Sequence, residues 1–277
     1  MAGAAADGLR ISVITVAWNA AATIGETLRS VAAQDHADVE HLIIDGGSDD
    51  ETAAVFANQA GPTSVLFSQR DDGLYDAMNR GLARVSGDLI GFLNADDFFC
   101  RTDALSLVAA AAAATDADAV AGGVAIVDPT DTTRLRRAYA PRIAPWMLRF
   151  GHMPPHPGFY TRASAFARVG GFDLASGTSA DFDWMIRYFA VHRLRAKAIA
   201  PTLVTMRAGG VSNIDWASRL RANRYALTAL RKHGVASATP LLWARYPVKA
   251  WQLAARARDW PAPGLVAWPG MTRRPDD

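Results

Sequence analysis

"DDGLYDAMNRGLARVSGDLIGFLNADDFF", residues 71–99, sets an acidic turn, a helix and an apolar strand in series and then ends on two adjacent carboxylates. The periodicity places the helix from about Leu74 to Val85 and the strand over residues 88–94. Like charges side by side, Asp96 and Asp97, are not what packing alone selects. Asn94 stands two positions before Asp96, where a third carboxylate would complete a cluster. Aspartate caps helices well and a helix follows within a few residues, so turn and cap chemistry is one account of the pair. Holding a hard divalent cation through oxygen ligands is the other.

Upstream of this stretch, strands and helices alternate. "ISVITVA" (11–17) reads as a buried strand and "TIGETLRSVAAQ" (23–34) as a helix with its apolar positions on one face. "EHLIID" (40–45) is the next strand, and Ser48 with Glu51 three residues on reads as a capping box opening a helix. "SVLFSQ" (64–69) is a third strand. This alternation implies parallel pairing with right-handed crossovers, an α/β sheet whose ligands bind outside the carboxyl ends of its strands. Polar residues gather at those ends: Trp18 and Asn19, then Asp45 to Ser48, then Arg70 to Gly73, then Asn94 to Asp97. Asp45 suits either entry to the Gly46–Gly47 turn or a hydrogen bond to a nucleobase or ribose. Asp71, Asp72 and Gly73 form either a plain turn or part of the same rim, where Tyr75 and Asn79, four apart, share a helix face.

Downstream, a helix (about 102–115) leads to a strand (118–127), a loop that admits a short hairpin and the Pro-rich "HMPPHPGFYT", which runs into a further strand. A helix over 181–192, a strand over 198–207 and two basic helices, about 214–233 and 240–258, complete the chain. Residues 1–97 hold 15 acids and 5 bases, whereas residues 98–277 hold 12 acids and 24 bases. An acidic first half argues against a nucleic-acid binder spread over the chain and is compatible with metal binding there. The single cysteine, Cys100, excludes a disulfide framework and a Cys-based zinc site. No apolar run reaches 18 residues and the N-terminus lacks the pattern of a signal peptide, so the expected location is cytoplasmic.

"ISVITVAWNAAATIGETLRSV", "IIDGGSDDET", "DDGLYDAMNRGLARVSGDLIGFLNADD" and "HPGFYTRASAFARVGGFD…SADFDWMIRY" resemble, in order and spacing, the family 2 glycosyltransferases, nucleotide-sugar-dependent inverting enzymes with the GT-A fold. The resemblance covers roughly residues 10–215 and is nearest to bacterial members that build exopolysaccharide, lipopolysaccharide or glycolipid. It implies a Rossmann-like fold with a mixed central sheet. A GT-A domain would span residues 1–213, with a nucleotide-binding half over 10–100 and an acceptor-binding half over 101–213. A basic helical C-terminal extension would occupy 214–277.

The resemblance assigns roles residue by residue. Ala17, Trp18, Asn19, Asp45 and Gly47 would contact the nucleoside, with Asp45 on the base. Asp71, Asp72, Gly73 and Asn79 would line the nucleotide pocket. Asn94-Ala95-Asp96 occupies the family's Asp-x-Asp position, so Asp96, with Asp97 beside it, would face Mg2+ or Mn2+ and the diphosphate. Asp181 would be the general base, with Asp183 in reserve. His156, Gly210 and Ser212 would lie on the acceptor side, where a lone histidine among prolines or a plain glycine turn reads equally well as loop structure.

Two departures stand out: Asn94 replaces the first acid of the triplet, and "SAD" lacks the Glu that usually precedes the base. A UDP-sugar is the first expectation for the donor, with GDP- or dTDP-sugars as alternatives, and a glycan or lipid-linked acceptor. The basic C-terminal helices would pack on the domain or touch the cytoplasmic face of a membrane.

Other classes fit less well. "AWNAAATIG" after the first strand is not G-x-G-x-x-G, which removes the pyrophosphate-hugging turn of a nicotinamide or flavin enzyme. A glycoside hydrolase would use two carboxylates without the nucleotide-pocket motifs. A non-catalytic sugar-nucleotide binder is the remaining alternative.

Overall fold

The structure, a computed structural model, describes residues 8–209 and 216–243. In chain order, β1 (Ile11–Ala17), α1 (Ile24–Ala32), β2 (Val39–Asp45), α2 (Thr52–Gln59), β3 (Ser64–Ser68), α3 (Leu74–Leu82) and β4 (Leu89–Phe92) form the expected alternation. They are followed by β5 (Phe98–Phe99), α4 (Ala104–Ala113), β6 (Ala119–Val127), β7 (Leu135–Tyr139), β8 (Phe159–Arg162), α5 (Ala163–Val169), α6 (Ala180–Ile186), β9 (Ala196–Arg207), α7 (Trp216–Lys232) and α8 (Thr239–Trp243).

The strands form one sheet in the order β3-β2-β1-β4-β8-β6-β9-β5, with β7 also paired to β6. β3, β2, β1 and β4 run parallel, with Ile14 flanked by Leu42 and Phe92. β1 is Ile/Val-rich and buried over all seven residues, as a central strand covered on both faces must be. Beyond β4 the direction reverses: β8 pairs antiparallel with β4, and β6 antiparallel with β8. β9 then runs parallel to β6 and pairs antiparallel with the two-residue β5, Phe98 opposite Thr205. The sheet is therefore mixed, and its last pairing brings the end of β9 against the residues that follow Asp96 and Asp97.

Alternation along β1 sends Ile14 and Val16 into one core and Ile11 and Val13 into the other. The first core is closed by α3, α5 and α6 and by Ala226, Ala229 and Leu230 of α7, so α7 shares the main core with the sheet. The second is closed by the alanine-rich α4 through Leu105, Val108, Ala109 and Ala112. Within the sheet, buried His41 bridges Thr15 of β1 and Ser64 of β3, 2.9 Å to each, and burial lowers its pKa to about 3. The ring thus stays neutral and ties three strands in register.

Differences from the sequence reading are local. The Ser48–Glu51 capping box does not form: α2 begins at Thr52, and the Ser48 hydroxyl turns back to Asp45. Glu51 holds the N-cap position without a side-chain cap bond, and Asp50 before it accepts from Thr52 N at 2.9 Å. α3 stops at Leu82 rather than Val85. Of the second C-terminal helix only Thr239–Trp243 is described, and the remainder of the expected 240–258 helix lies outside the described residues. Among the described residues no helix is long and apolar enough to cross a membrane.

Gly91 of β4 faces Tyr160 of β8 so closely that a Cβ would sit 2.3 Å from the phenol ring, itself fully buried. Gly91→Ala is expected to cost about 1–3 kcal/mol by overpacking, read as a lower urea midpoint with an unchanged m-value. An unchanged midpoint would show that the sheet gives way there.

Candidate active site

The carboxyl ends of β1 and β2 are fastened to each other. Ala17 and Asp45 are opposite in register, and Gly46 N donates to Ala17 O at 2.9 Å. Asn19 adopts a positive φ of 49°, a conformation asparagine tolerates. Its N–H donates to Ser48 Oγ at 2.8 Å, and its Oδ1 accepts from Asp49 N at 3.0 Å. Asp45 is 2% exposed and accepts from the Ser48 hydroxyl and N–H and from Ser68 Oγ. Gly47, at φ 79°, turns the chain under the Arg70 backbone. Trp18 projects from this frame and is 71% exposed. The rim is thus a set of main-chain and hydroxyl contacts that leaves an indole facing outward.

At the third strand end, Asp71 Oδ1 accepts from Gly73 N at 2.9 Å, and Gly73, at φ 112°, leads into α3. Asp72 is exposed, and its N–H donates to Asp76 across the first turn. Tyr75, the second residue of α3, neighbours Asp181, and burial together with the Asp181 charge raises its hydroxyl well above the ordinary range. Asp181, in the first turn of α6, accepts from Phe182 N at 2.7 Å. Burial raises its carboxyl above the ordinary range, while the Phe182 N–H and the neighbouring Tyr75 hydroxyl pull it back down.

The fourth strand end carries the adjacent acids. Asp97 is 1% exposed, and its carboxylate accepts from Asn94 Nδ2 at 3.1 Å. Burial and the neighbouring Asp96 charge push its pKa well up, and the Asn94 amide opposes that rise. Thr27 of α1 donates to the Ala95 and Asp97 carbonyls at 3.0 and 2.7 Å, pinning the turn from below. Asp96 is half-buried, and burial raises its carboxyl too. Among the described residues no side chain donates to that carboxylate. Arg207, at the end of β9, instead donates to the Asp96 carbonyl at 2.6 Å and to the Glu26 carboxylate.

Three expected site residues make contacts within the fold. Asn79 is engaged with Phe172: its amide donates to Phe172 O at 2.9 Å and accepts from Phe172 N at 2.7 Å. This ties α3 to the loop before α6. Asp183, the reserve base, is 0% exposed and is occupied by Arg187 at 2.9 Å and His233 at 2.8 Å. A helix turns successive side chains by about 100°, so position 183 faces away from position 181. His156 stacks on Phe92 with ring centroids 5.0 Å apart, and burial lowers its pKa to about 4. It belongs to an aromatic chain in which Phe172 touches Phe92 and Tyr75 at 5.4 and 5.5 Å. Gly210 and Ser212 lie outside the described residues.

Among the described residues no group of three or more His, Cys, Asp and Glu side chains could enclose a metal ion. The donor set fits a cation shared between protein and substrate, since Mg2+-type ions are commonly held by one or two carboxylates plus phosphate oxygens. Among the described residues, Asp96 offers a carboxylate with no side-chain donor and the buried Asn94 Oδ1 has no hydrogen-bond partner.

A mixed sheet of this order, with carboxylates at the ends of its parallel strands, has the architecture of a GT-A glycosyltransferase. The mannosyltransferase PcManGT from Pyrobaculum calidifontis, in complex with GDP-Man and Mn2+, superimposes with a TM-score of 0.61 at 20% identity, over 91% of this chain and 76% of that one. S. aureus TarS superimposes with a TM-score of 0.59 at 17% identity over 84% of this chain, which spans 45% of the length of TarS. The glycosyl transferase family 2 sequence profile matches residues 12–173, and the chain belongs to that family. A PGL/p-HBAD biosynthesis glycosyltransferase of Mycobacterium bovis (strain BCG / Pasteur 1173P2) is 32% identical over 207 residues, 73% of this chain and 78% of that protein. An uncharacterized glycosyltransferase of Mycobacterium tuberculosis (strain CDC 1551 / Oshkosh) is 32% identical over 178 residues, 64% of this chain and 68% of the relative.

Arg207 and Glu26 were not among the expected site residues: Glu26 reads as one polar position of an amphipathic helix, Arg207 ends a strand outside the quoted stretches, and 181 positions separate the two. The role found for Asn79 has a direct check. Asn79→Ala is expected to lose about 1–3 kcal/mol of stability, the cost of leaving buried partners unsatisfied. Nucleoside diphosphate binding, measured by calorimetry below the unfolding temperature, should be unchanged; weakened binding at full stability would return Asn79 to the nucleotide rim.

Proposed function

We propose that this chain is an inverting glycosyltransferase that moves a sugar from a nucleoside diphosphate to a hydroxyl of a glycan or glycolipid acceptor. The observation that carries the reading is the pair of separate carboxylate centres. Among the described residues no side chain donates to the Asp96 carboxylate, and Asp181 has a burial-raised pKa, the Phe182 N–H on its carboxylate and Tyr75 beside it. A one-step displacement at the anomeric carbon needs a base on one side and a stabilised diphosphate on the other. Asp181 would accept the acceptor hydroxyl's proton, a burial-raised carboxylate being a better base near neutral pH. Tyr75 would hold it in place from α3. The rim of Asn19, Asp45, Gly47 and Asp71 to Gly73 would hold the nucleoside, with the exposed Trp18 beside it. Asp96, backed by Asp97, would hold Mg2+ or Mn2+, whose chemistry there is to neutralise the departing diphosphate.

The relatives support the substrate class. One is named for PGL/p-HBAD biosynthesis, and solved structures of similar fold carry GDP-Man with Mn2+, UDP or UDP-GlcNAc. A UDP-sugar stays the first expectation, with GDP- and dTDP-sugars next. A lipid-linked acceptor would bring the cationic C-terminal half to the cytoplasmic face of a membrane as a peripheral contact.

A thermal-shift series of UDP, GDP and dTDP with Mn2+ or Mg2+ identifies the donor base. Asp181→Asn should lower kcat by about 10²–10⁴-fold with donor binding retained, whereas Asp96→Asn should weaken donor binding as well. Wild-type turnover in both variants would overturn the assignment.

The pH dependence follows from the same contacts. Asp181 must be ionised to act, so kcat/KM should rise with pH through its raised pKa. The neighbouring Tyr75 hydroxyl lowers that pKa, so Tyr75→Phe should move the acid limb to higher pH. A limb that stays in place or moves down would remove Asp181 as the titrating base.

A further inference from the structure

Arg207 is a cation whose charge acts on both acids of the strand-end pair, drawing each carboxyl down against the rise that burial causes. Its Nη1 donates to the Asp96 carbonyl at 2.6 Å. Its Nη2 is held by Glu26, in the first turn of α1, and its guanidinium lies 5.4 Å from the centre of the Phe98 ring. Both side chains of the ion pair are mostly buried, 13% and 22% exposed, so solvent screens it less than a surface bridge. The planar fork explains why arginine stands here: two of its nitrogens are engaged at once, on the Asp96 turn and on α1.

This places one residue at the junction of three elements. β9 supplies Arg207, β5 supplies the aromatic plate beneath it, and α1 supplies the carboxylate that fixes its orientation. Among the described residues no side chain donates to the Asp96 carboxylate, so the backbone that carries it sets its aim. That backbone is fixed by Thr27 from α1 and by Arg207 from β9.

We propose that Arg207, oriented by Glu26, is the positioning residue that sets the Asp96 carboxylate for cation-assisted binding of the donor diphosphate. The inference rests on Asp96 as the donor-side carboxylate. Because the guanidinium is already committed to Glu26 and to the Asp96 carbonyl, it acts through the turn and is not itself the ligand. Partners of this kind, one step removed from a metal carboxylate, typically change metal affinity by about 10–100-fold when removed.

The test is calorimetric titration of the full chain with UDP, GDP and dTDP in the presence of Mn2+, beside thermal unfolding of each variant, so that no readout depends on turnover. Arg207→Gln should weaken Mn2+-dependent nucleotide binding about tenfold or more. Arg207→Lys, which keeps the charge but loses the two-nitrogen fork, should fall between it and the wild type. Asp96→Asn is the reference and should abolish the Mn2+ dependence. If Asp96→Asn loses it while Arg207→Gln binds like the wild type with only a lower Tm, Arg207 is structural and this inference fails alone. A lysine variant that binds as tightly as the wild type also overturns it, because charge alone then suffices. If Asp96→Asn keeps wild-type Mn2+ dependence, the reading of the site fails together with the inference.

Discussion

Two neighbouring carboxylates at the mouth of a buried strand are costly unless donors surround them, and much of the site is arranged around that cost. Asp97 is out of water, and burial with the Asp96 charge pushes its carboxyl up; the Asn94 amide at its side and the Arg207 charge act against that rise. Asn94 therefore has a purpose that a third carboxylate would defeat. An acid there would add a third negative charge to the cluster and remove the donor that satisfies Asp97. The departure from the family's triplet looks, in this light, like an exchange of charge for a hydrogen bond. It leaves Asp96 as a carboxylate to which, among the described residues, no side chain donates.

The rest of the sheet can be understood as the means of delivering that compensation. Four parallel strands bring the acidic and small polar turns to one edge, as α/β sheets do. The reversal at β8 and the return of β9 then carry a cation from the basic half of the chain to the acidic half, where Phe98 and Thr205 pair. The charge asymmetry between residues 1–97 and 98–277 is thus bridged at one point by the Glu26–Arg207 contact. On the other side, the aromatic chain from Phe92 through Phe172 to Tyr75 joins the fourth strand end to the helix that supports Asp181.

What the chain disclosed in advance follows physical range. β1 was legible to the residue because a buried run bounded by polar turns leaves little choice, and β2 and β3 were placed within one residue for the same reason. The strand-end cluster was legible because parallel topology forces those turns together. Contacts between distant segments were not: nothing near Asn79 announces Phe172, nothing near Tyr75 announces Asp181, and a two-residue strand such as β5 has no periodicity to read. Ser48 was misread because local spacing favoured a capping box, whereas the buried Asp45 needed a hydroxyl donor and was the stronger competitor.

The family profile ends at residue 173, yet the sheet does not. β9 lies between β6 and β5, and Ala226, Ala229 and Leu230 of α7 close the same core as β1 and β4. A fragment cut at the profile's boundary would bare both flanks of that inserted strand. It would open β6 and β5 to edge-to-edge association and leave a broad apolar face uncovered. The segment that the profile matches and the unit that packs together are therefore different lengths of chain. The motifs can be recognised without the later residues, but the sheet and core that position them are completed by those residues.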